Sequence, residues 1–168
     1  WTISSFFFFF NHVSEIIFSS IGIISFIYFK CYKQLLKFLK DRGLYFYILT
    51  LIIIYSGSFG PFIYDHFGYY LPTIKWLTEF GTVKGLANLE LSQAQASFWH
   101  IYQAGFSSYI DPFLRINVFL LLTFIIYSFE TRRWILLAFT PLFLIFTQSP
   151  SPDLVVYCLT LITLNELF

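Results

Sequence analysis

The sequence predicts an all-α fold: a polytopic transmembrane helical bundle with two amphipathic surface helices in a long outer loop. Three observations carry that expectation. First, the chain is 58% hydrophobic and 11% charged, with a mean hydropathy of +0.73, whereas a soluble domain carries about 25% charged residues. A chain of 168 residues can bury a core but still needs a polar skin, which this composition cannot supply. Second, the apolar residues are gathered in runs suited to membrane spans. Third, the basic residues concentrate in two short stretches, the pattern of loops held on one side of a membrane.

Taken in order, the apolar runs are Trp1 to Phe10, Ile16 to Phe29, Leu44 to Phe59, Pro112 to Phe129, Trp134 to Thr147 and Leu154 to Phe168. "NHVSE", Asn11 to Glu15, separates the first two, and Pro141 breaks the fifth. Several fall short of the roughly 20 residues that a perpendicular span needs, so some must borrow flanking residues and one is a candidate re-entrant segment. Residues 1–168 read as a single transmembrane domain. The chain starts at Trp1, has no Met and ends inside an apolar run, so a longer parent chain is expected. Cys31 and Cys158 sit in or beside apolar runs outside any CxxC or Cys/His cluster, and read as small buried side chains.

"KCYKQLLKFLKDR", Lys30 to Arg42, holds five basic residues against Asp41, and "ETRR", Glu130 to Arg133, holds two more. The positive-inside rule makes 30–42 and 130–133 cytoplasmic loops. Residues 60–111 and "QSPSPD", Gln148 to Asp153, then lie outside, which gives Asp65, His66 and Asp153 a common face. The basic stretch 30–42 reads as a solvated headgroup anchor more readily than as specific lipid recognition. The net charge of +1 does not discriminate among partners, and no basic patch suggests nucleic acid, so no nucleic-acid partner is expected.

The segment 60–111 is long for a mere connection. Phe67, Tyr70, Leu71, Ile74 and Leu77 keep helical spacing, with Asp65, Tyr69, Trp76 and Glu79 opposite. This predicts a surface helix ended by Gly81. Ser92 is placed to cap a second one, with Leu91, Ala94, Ala96 or Phe98, and Ile101 or Tyr102 as its stripe and Gly105 as its end. Asp65 then stands where a span emerges, either as a helix-start acid or as a general base that takes a proton from an acceptor hydroxyl. Lys75, Lys84 and Arg115 are the cations able to stabilise a departing phosphate, although Lys75 is also spaced to pair with Glu79. His66 and His100 are candidates to bind an acceptor or a metal, or structural histidines. Asp153 after "SPSP" is a helix cap or part of the site. Phosphate-loop, nucleophile-elbow and HExxH signatures are absent.

The order of span, acid, Tyr pair, surface helix, Gly and second helix resembles the first outer loop of GT-C type glycosyltransferases, with Asp65, Tyr69 or Tyr70, and Gly81 at the matching places. A closer similarity is to bacterial multispanning proteins described as GT-C-like. It rests on "YDHFGYYLPTIKWLTEFGTVKGLANL", Tyr64 to Leu89, and "SPSPDL", Ser149 to Leu154, about a fifth of the chain. Those proteins continue with a His-Gly-Arg-like stretch, then Asn and Ser, where this chain has "ELSQAQASFWH", so one basic contact is missing here. The resemblance implies an integral protein of the bacterial inner membrane. It would transfer sugar from a polyprenyl-phosphate-linked donor in surface polysaccharide or glycolipid assembly, with Asp65 as base or metal-binding acid. His66, Tyr69, Lys75, Lys84, His100, Arg115 and Asp153 are the expected substrate-binding residues. The resemblance fixes no cofactor and leaves a divalent metal as the candidate. Membrane lipids, the lipid-linked sugar and a protein complex are the expected partners. A non-catalytic membrane subunit and a lipid-linked sugar transporter are the competing functions.

Overall fold

The computed structural model describes residues 12–82, Asn88 and residues 97–167, and among these every regular element is helical. Helices α1 (His12–Tyr28), α2 (Cys31–Lys40) and α3 (Leu44–Ser58) come first. A π-turn, His66–Tyr70, leads into α4 (Leu71–Phe80), and α5 (Phe98–Ala104) follows. Then come α6 (Ile116–Glu130), the broken segment 134–148 with α7 (Thr140–Phe143) at its middle, and α8 (Asp153–Leu167).

Contacts at the helix ends define a bundle with two distinct ends. Phe46 near the start of α3 meets Phe129 near the end of α6, with ring centroids 5.1 Å apart. At the other end, a Cβ on Gly57 of α3 would collide with the side chain of Val118 of α6. The two helices are therefore antiparallel, and glycine permits their close approach. The side chain of Asn165, late in α8, reaches the Tyr127 hydroxyl, late in α6, at 3.1 Å, so these two helices run in parallel. Ile53, Leu121, Phe124, Ile125, Phe143, Leu154 and Cys158 form the buried centre.

The two basic stretches meet at one end, where Arg42 donates to the Phe129 carbonyl at 3.2 Å. Residues 30–42, expected as a loop, are mostly helix α2. Their Lys and Leu positions already had helical spacing, and the charge count hid it. At the opposite end Glu15 accepts from the backbone N–H groups of Tyr109 (3.1 Å) and Ile110 (2.7 Å). Glu15 is 2% exposed; its carboxylate ties the start of α1 to the long segment 60–111 by charge-assisted bonds. The residue that interrupts the first apolar run is thus a structural clasp.

The long segment has a small core of its own: Ile74, Leu77, Ala104 and Leu114, with Leu71 and Ile101 against them. The apolar stripe of α4 faces this core, so α4 is packed on protein rather than lying free on a surface. The π-turn adds one residue per turn and shifts the register. His66 is consequently buried where Phe67 was expected, and Phe67 is exposed. The second helix is capped by Ser97, whose hydroxyl accepts the His100 N–H while His100 Nδ1 accepts the Ser97 N–H. Its buried face is His100, Gln103 and Ala104, with Phe98 and Tyr102 exposed. Ser92, Leu91, Ala94 and Ala96 lie outside the described residues. Gly81 and Gly105 do end α4 and α5.

Pro141 opens the four-residue α7, and the flanking turns of 134–148 are 3-10 helix. Ser56 at the end of α3 donates to the Leu144 carbonyl at 3.2 Å and meets Thr147 Oγ1 at 3.1 Å, which secures this irregular stretch. Among the described residues no single helix is long and apolar enough to cross a membrane. α3, α6 and α8 have 15 residues each, about 22 Å of helix against about 30 Å of hydrocarbon. The pair Val13–Tyr28 and Cys31–Lys40 meets the length together but bends by 70°.

Candidate functional site

The site candidates gather at the end of the bundle that carries the long segment. Its organiser is Asn117, fully buried in the first turn of α6. Its amide nitrogen donates to the carbonyls of Ser149 (2.8 Å), Ser151 (2.9 Å) and Phe146 (3.0 Å), and its oxygen accepts from Trp99 Nε1 at 2.9 Å. One side chain therefore holds α5, α6 and the Pro-rich turn 149–152 together. Asp111 caps the approach to α6 by accepting the Arg115 N–H at 2.7 Å. Leu114, buried in the small core of the long segment, takes a left-handed conformation at φ 56° to turn the chain into α6. Arg115 follows and donates from Nη1 to the Gln148 carbonyl.

Against this frame stand the two tyrosines of the π-turn. The Tyr70 hydroxyl reaches Ser151 Oγ at 3.4 Å, and Ser151 donates to Asp153 Oδ2 at 2.9 Å. Ser151 also accepts the Asp153 N–H at 3.2 Å, so the serine caps α8 and the Asp153 carboxylate holds the serine. The His100 ring lies 5.2 Å from Tyr70 and 6.2 Å from Tyr69. Asp65 immediately precedes the π-turn, is exposed, and accepts no hydrogen bond from the turn it precedes. A purely capping acid would make that bond.

The electrostatics follow from this packing. Burial, then the Arg115 guanidinium, lowers His66 below the ordinary histidine range. Burial lowers His100 to about 4 against a weaker opposing pull from Asp153. Both imidazoles are neutral at pH 7. Burial first, then the neighbouring Tyr70 and the carboxylates of Asp65 and Asp153, push Tyr69 well above its usual value, so it remains a proton donor. Burial raises Asp111, partly offset by the backbone N–H groups of Arg115 and Ile116. Because His100 Nδ1 accepts from Ser97, its proton sits on Nε2, which is buried and, among the described residues, has no hydrogen-bond partner, as is the case for Nδ1 of His66.

His100 also sets a pH dependence. Its folded pKa lies below the unfolded value, so the unfolded chain takes up the proton first. Stability is complete above about pH 6.5 and is lost as pH falls toward about 4. The expected loss is roughly 3 kcal/mol, with His66 adding in the same direction and Asp111 opposing at the acid end. Thermal unfolding across that range should show it, and His100→Asn should flatten the profile. An unchanged profile in that variant would remove His100 as the source.

Of the residues expected from sequence, His66, Tyr69, His100, Arg115 and Asp153 converge, with Asp65 beside them. Lys75 is exposed on α4 in a shallow pocket with Leu71, Pro72, Trp76, Glu79 and Phe80, apart from the contacts described above. Lys84 lies outside the described residues. Among the described residues no group of three or more His, Cys, Asp or Glu side chains could hold a metal ion. Trp99, Asn117, Ser151 and Asp111 were missed, and Tyr70 stood only as the alternative to Tyr69. The signal available for Asn117 was a lone amide in the first turn of an apolar run, and for Asp111 an acid before Pro112 at a helix start. A family model for a domain of unknown function, DUF8201, matches residues 1–168, and the chain belongs to that family. No curated protein and no solved structure matches it.

Proposed function

We propose that this DUF8201 chain acts in a bacterial cell membrane as a GT-C-like glycosyltransferase. It takes sugar from a polyprenyl-phosphate-linked donor for surface polysaccharide or glycolipid assembly. The observation that carries the reading is the meeting of its two resemblance stretches. Tyr64 to Leu89 and Ser149 to Leu154 are far apart in sequence, and the Tyr70–Ser151–Asp153 chain joins them beside Asp65. The membrane setting is supported by the exposed apolar surface of the helices: Ile16, Ile17, Ile21, Ile23, Ile24 and Ile27 along α1, and Leu51, Ile52 and Ile54 along α3. A water-facing surface of that kind is not tolerated by a soluble monomer. Local thinning of the bilayer and snorkelling of flanking residues accommodate the short helices.

In this reading Asp65 takes the proton of the acceptor hydroxyl as the sugar–phosphate bond breaks. Arg115, fixed by Gln148, faces the charge growing on the departing phosphate. Tyr69, kept protonated, donates a hydrogen bond to the same region, and Asp153 positions Tyr70 through Ser151.

The test is deletion of the full-length gene in its host, restoration at equal membrane level, and comparison of surface glycans and lipid-linked sugars. Loss of a glycan with accumulation of its lipid-linked donor, both reversed by the wild type, is expected. An unchanged glycan profile would sink the proposal. A second reading, a non-catalytic membrane subunit, is favoured by the pocket around Trp76 and Phe80, which offers an aromatic docking surface. Stable co-purification with a larger complex, with Asp65 dispensable, would put it first.

A further inference from the structure

We infer that α2 is an in-plane helix that binds the headgroups of anionic lipids. At 3.6 residues per turn, Lys33, Lys37 and Lys40 fall within about 60° of arc, while Tyr32, Leu35, Leu36, Phe38 and Leu39 span about 160° on the other side. All three lysines are exposed, as is Lys30 just before them. The apolar face is divided. Phe38 is buried, edge-on to Phe46 at 5.4 Å and covered by the Arg42 guanidinium at 4.0 Å. Tyr32, Leu35 and Leu36 remain exposed, Leu36 by 63%. One edge of the helix is thus bolted to the bundle, and the adjoining edge offers leucines beneath a row of ammonium groups.

Orientation supplies the second observation. Lys30 adopts a left-handed conformation, φ 55°, and turns α2 by 70° from α1. α1 runs from the Glu15 clasp at one end of the bundle to this corner at the other, so α2 lies nearly across the bundle axis. The same end carries Arg132 and Arg133 and the exposed rings of Tyr28, Phe29, Tyr45 and Trp134. Aromatic rings beside cations mark the depth of lipid headgroups, and lysine stems bury their methylenes while their charges reach outward. The only acid within 30–42 is Asp41. The charge complement of this face is therefore an anionic surface, here phospholipid phosphate in the bilayer around the bundle.

The inference rests on the membrane setting proposed above and is independent of sugar transfer. The full chain, with Cys31→Ser and Cys158→Ser, is labelled with bimane at Leu36→Cys or, as a reference, at Ile24→Cys on α1. It is reconstituted with brominated phosphatidylglycerol or brominated phosphatidylcholine at equal mole fraction. Brominated phosphatidylglycerol is expected to quench the Leu36 position several-fold more strongly, each lysine being worth roughly a five-fold local enrichment. Lys33→Gln, Lys37→Gln and Lys40→Gln together should abolish the preference while the thermal midpoint is retained. Equal quenching by the two lipids would overturn anionic recognition. A quenched Ile24 label with a silent Leu36 label would mean that α2 faces water or protein, which overturns the inference and spares the membrane setting. Silence at both positions overturns both.

Discussion

Asn117→Asp is expected to be the most destabilising single-atom change in the described residues, with a loss of about 3–5 kcal/mol. The substitution keeps the shape and replaces the amide NH2 by oxygen. That group now donates to three carbonyls, those of Ser149, Ser151 and Phe146. A carboxylate there would face three acceptors, with only Trp99 Nε1 to satisfy it. The site is fully buried, so water cannot rescue the unpaired groups. Loss of the Pro-rich turn would release Ser151 and with it Tyr70. The measurement is thermal unfolding of purified protein, together with the monodisperse yield. Trp99→Phe, which removes one donor from the same network, should cost about 1 kcal/mol. If Asn117→Asp unfolds within a degree or two of wild type, Asn117 is not the organiser described here.

Asp65→Asn is expected to have the opposite signature: an intact fold and a transfer rate lowered by roughly 10²–10⁴, the range for removal of a general base. Asp65 is exposed and makes no capping bond, so stability should change by no more than about 0.5 kcal/mol. Initial rates with a polyprenyl-phosphate-linked sugar and acceptor are the readout, with thermal unfolding as the control. A transfer rate within two-fold of wild type would remove Asp65 from the chemistry and return it to a helix-start acid. Asp153→Asn makes a useful contrast. It weakens the grip on Ser151 and reaches Tyr70 only through that serine, so a smaller loss is expected than for Asp65.

Much of the helical architecture was legible because membrane-like runs announce themselves by length and composition. Leu44 to Phe59 and Leu154 to Phe168 were close to α3 and α8 for that reason. The surface helix was legible from Tyr70, Ile74 and Leu77, which keep a 3.6-residue period. Its first turn was not, because a π-turn changes the period without changing any residue type, and so exchanged His66 for Phe67. The 30–42 stretch hid its helix because charge dominated a reading that asked only which side of a membrane it lay on. Asp65, His66, Tyr69, His100, Arg115 and Asp153 were marked by chemistry alone, as polar residues in an apolar chain.

By itself, then, the sequence determined an all-helical chain with a large apolar surface, a basic end and a short roster of ionisable residues. Composition and periodicity are local properties and need no knowledge of neighbours. Tertiary structure alone decided that Glu15 clasps the backbone at Tyr109 and Ile110, that Asn117 secures the turn at 149–151, and that Tyr70 meets Asp153 through Ser151. Each of these joins positions tens of residues apart. A buried polar group must find its partners wherever the fold brings them, because leaving them unmade costs more than the chain can spare.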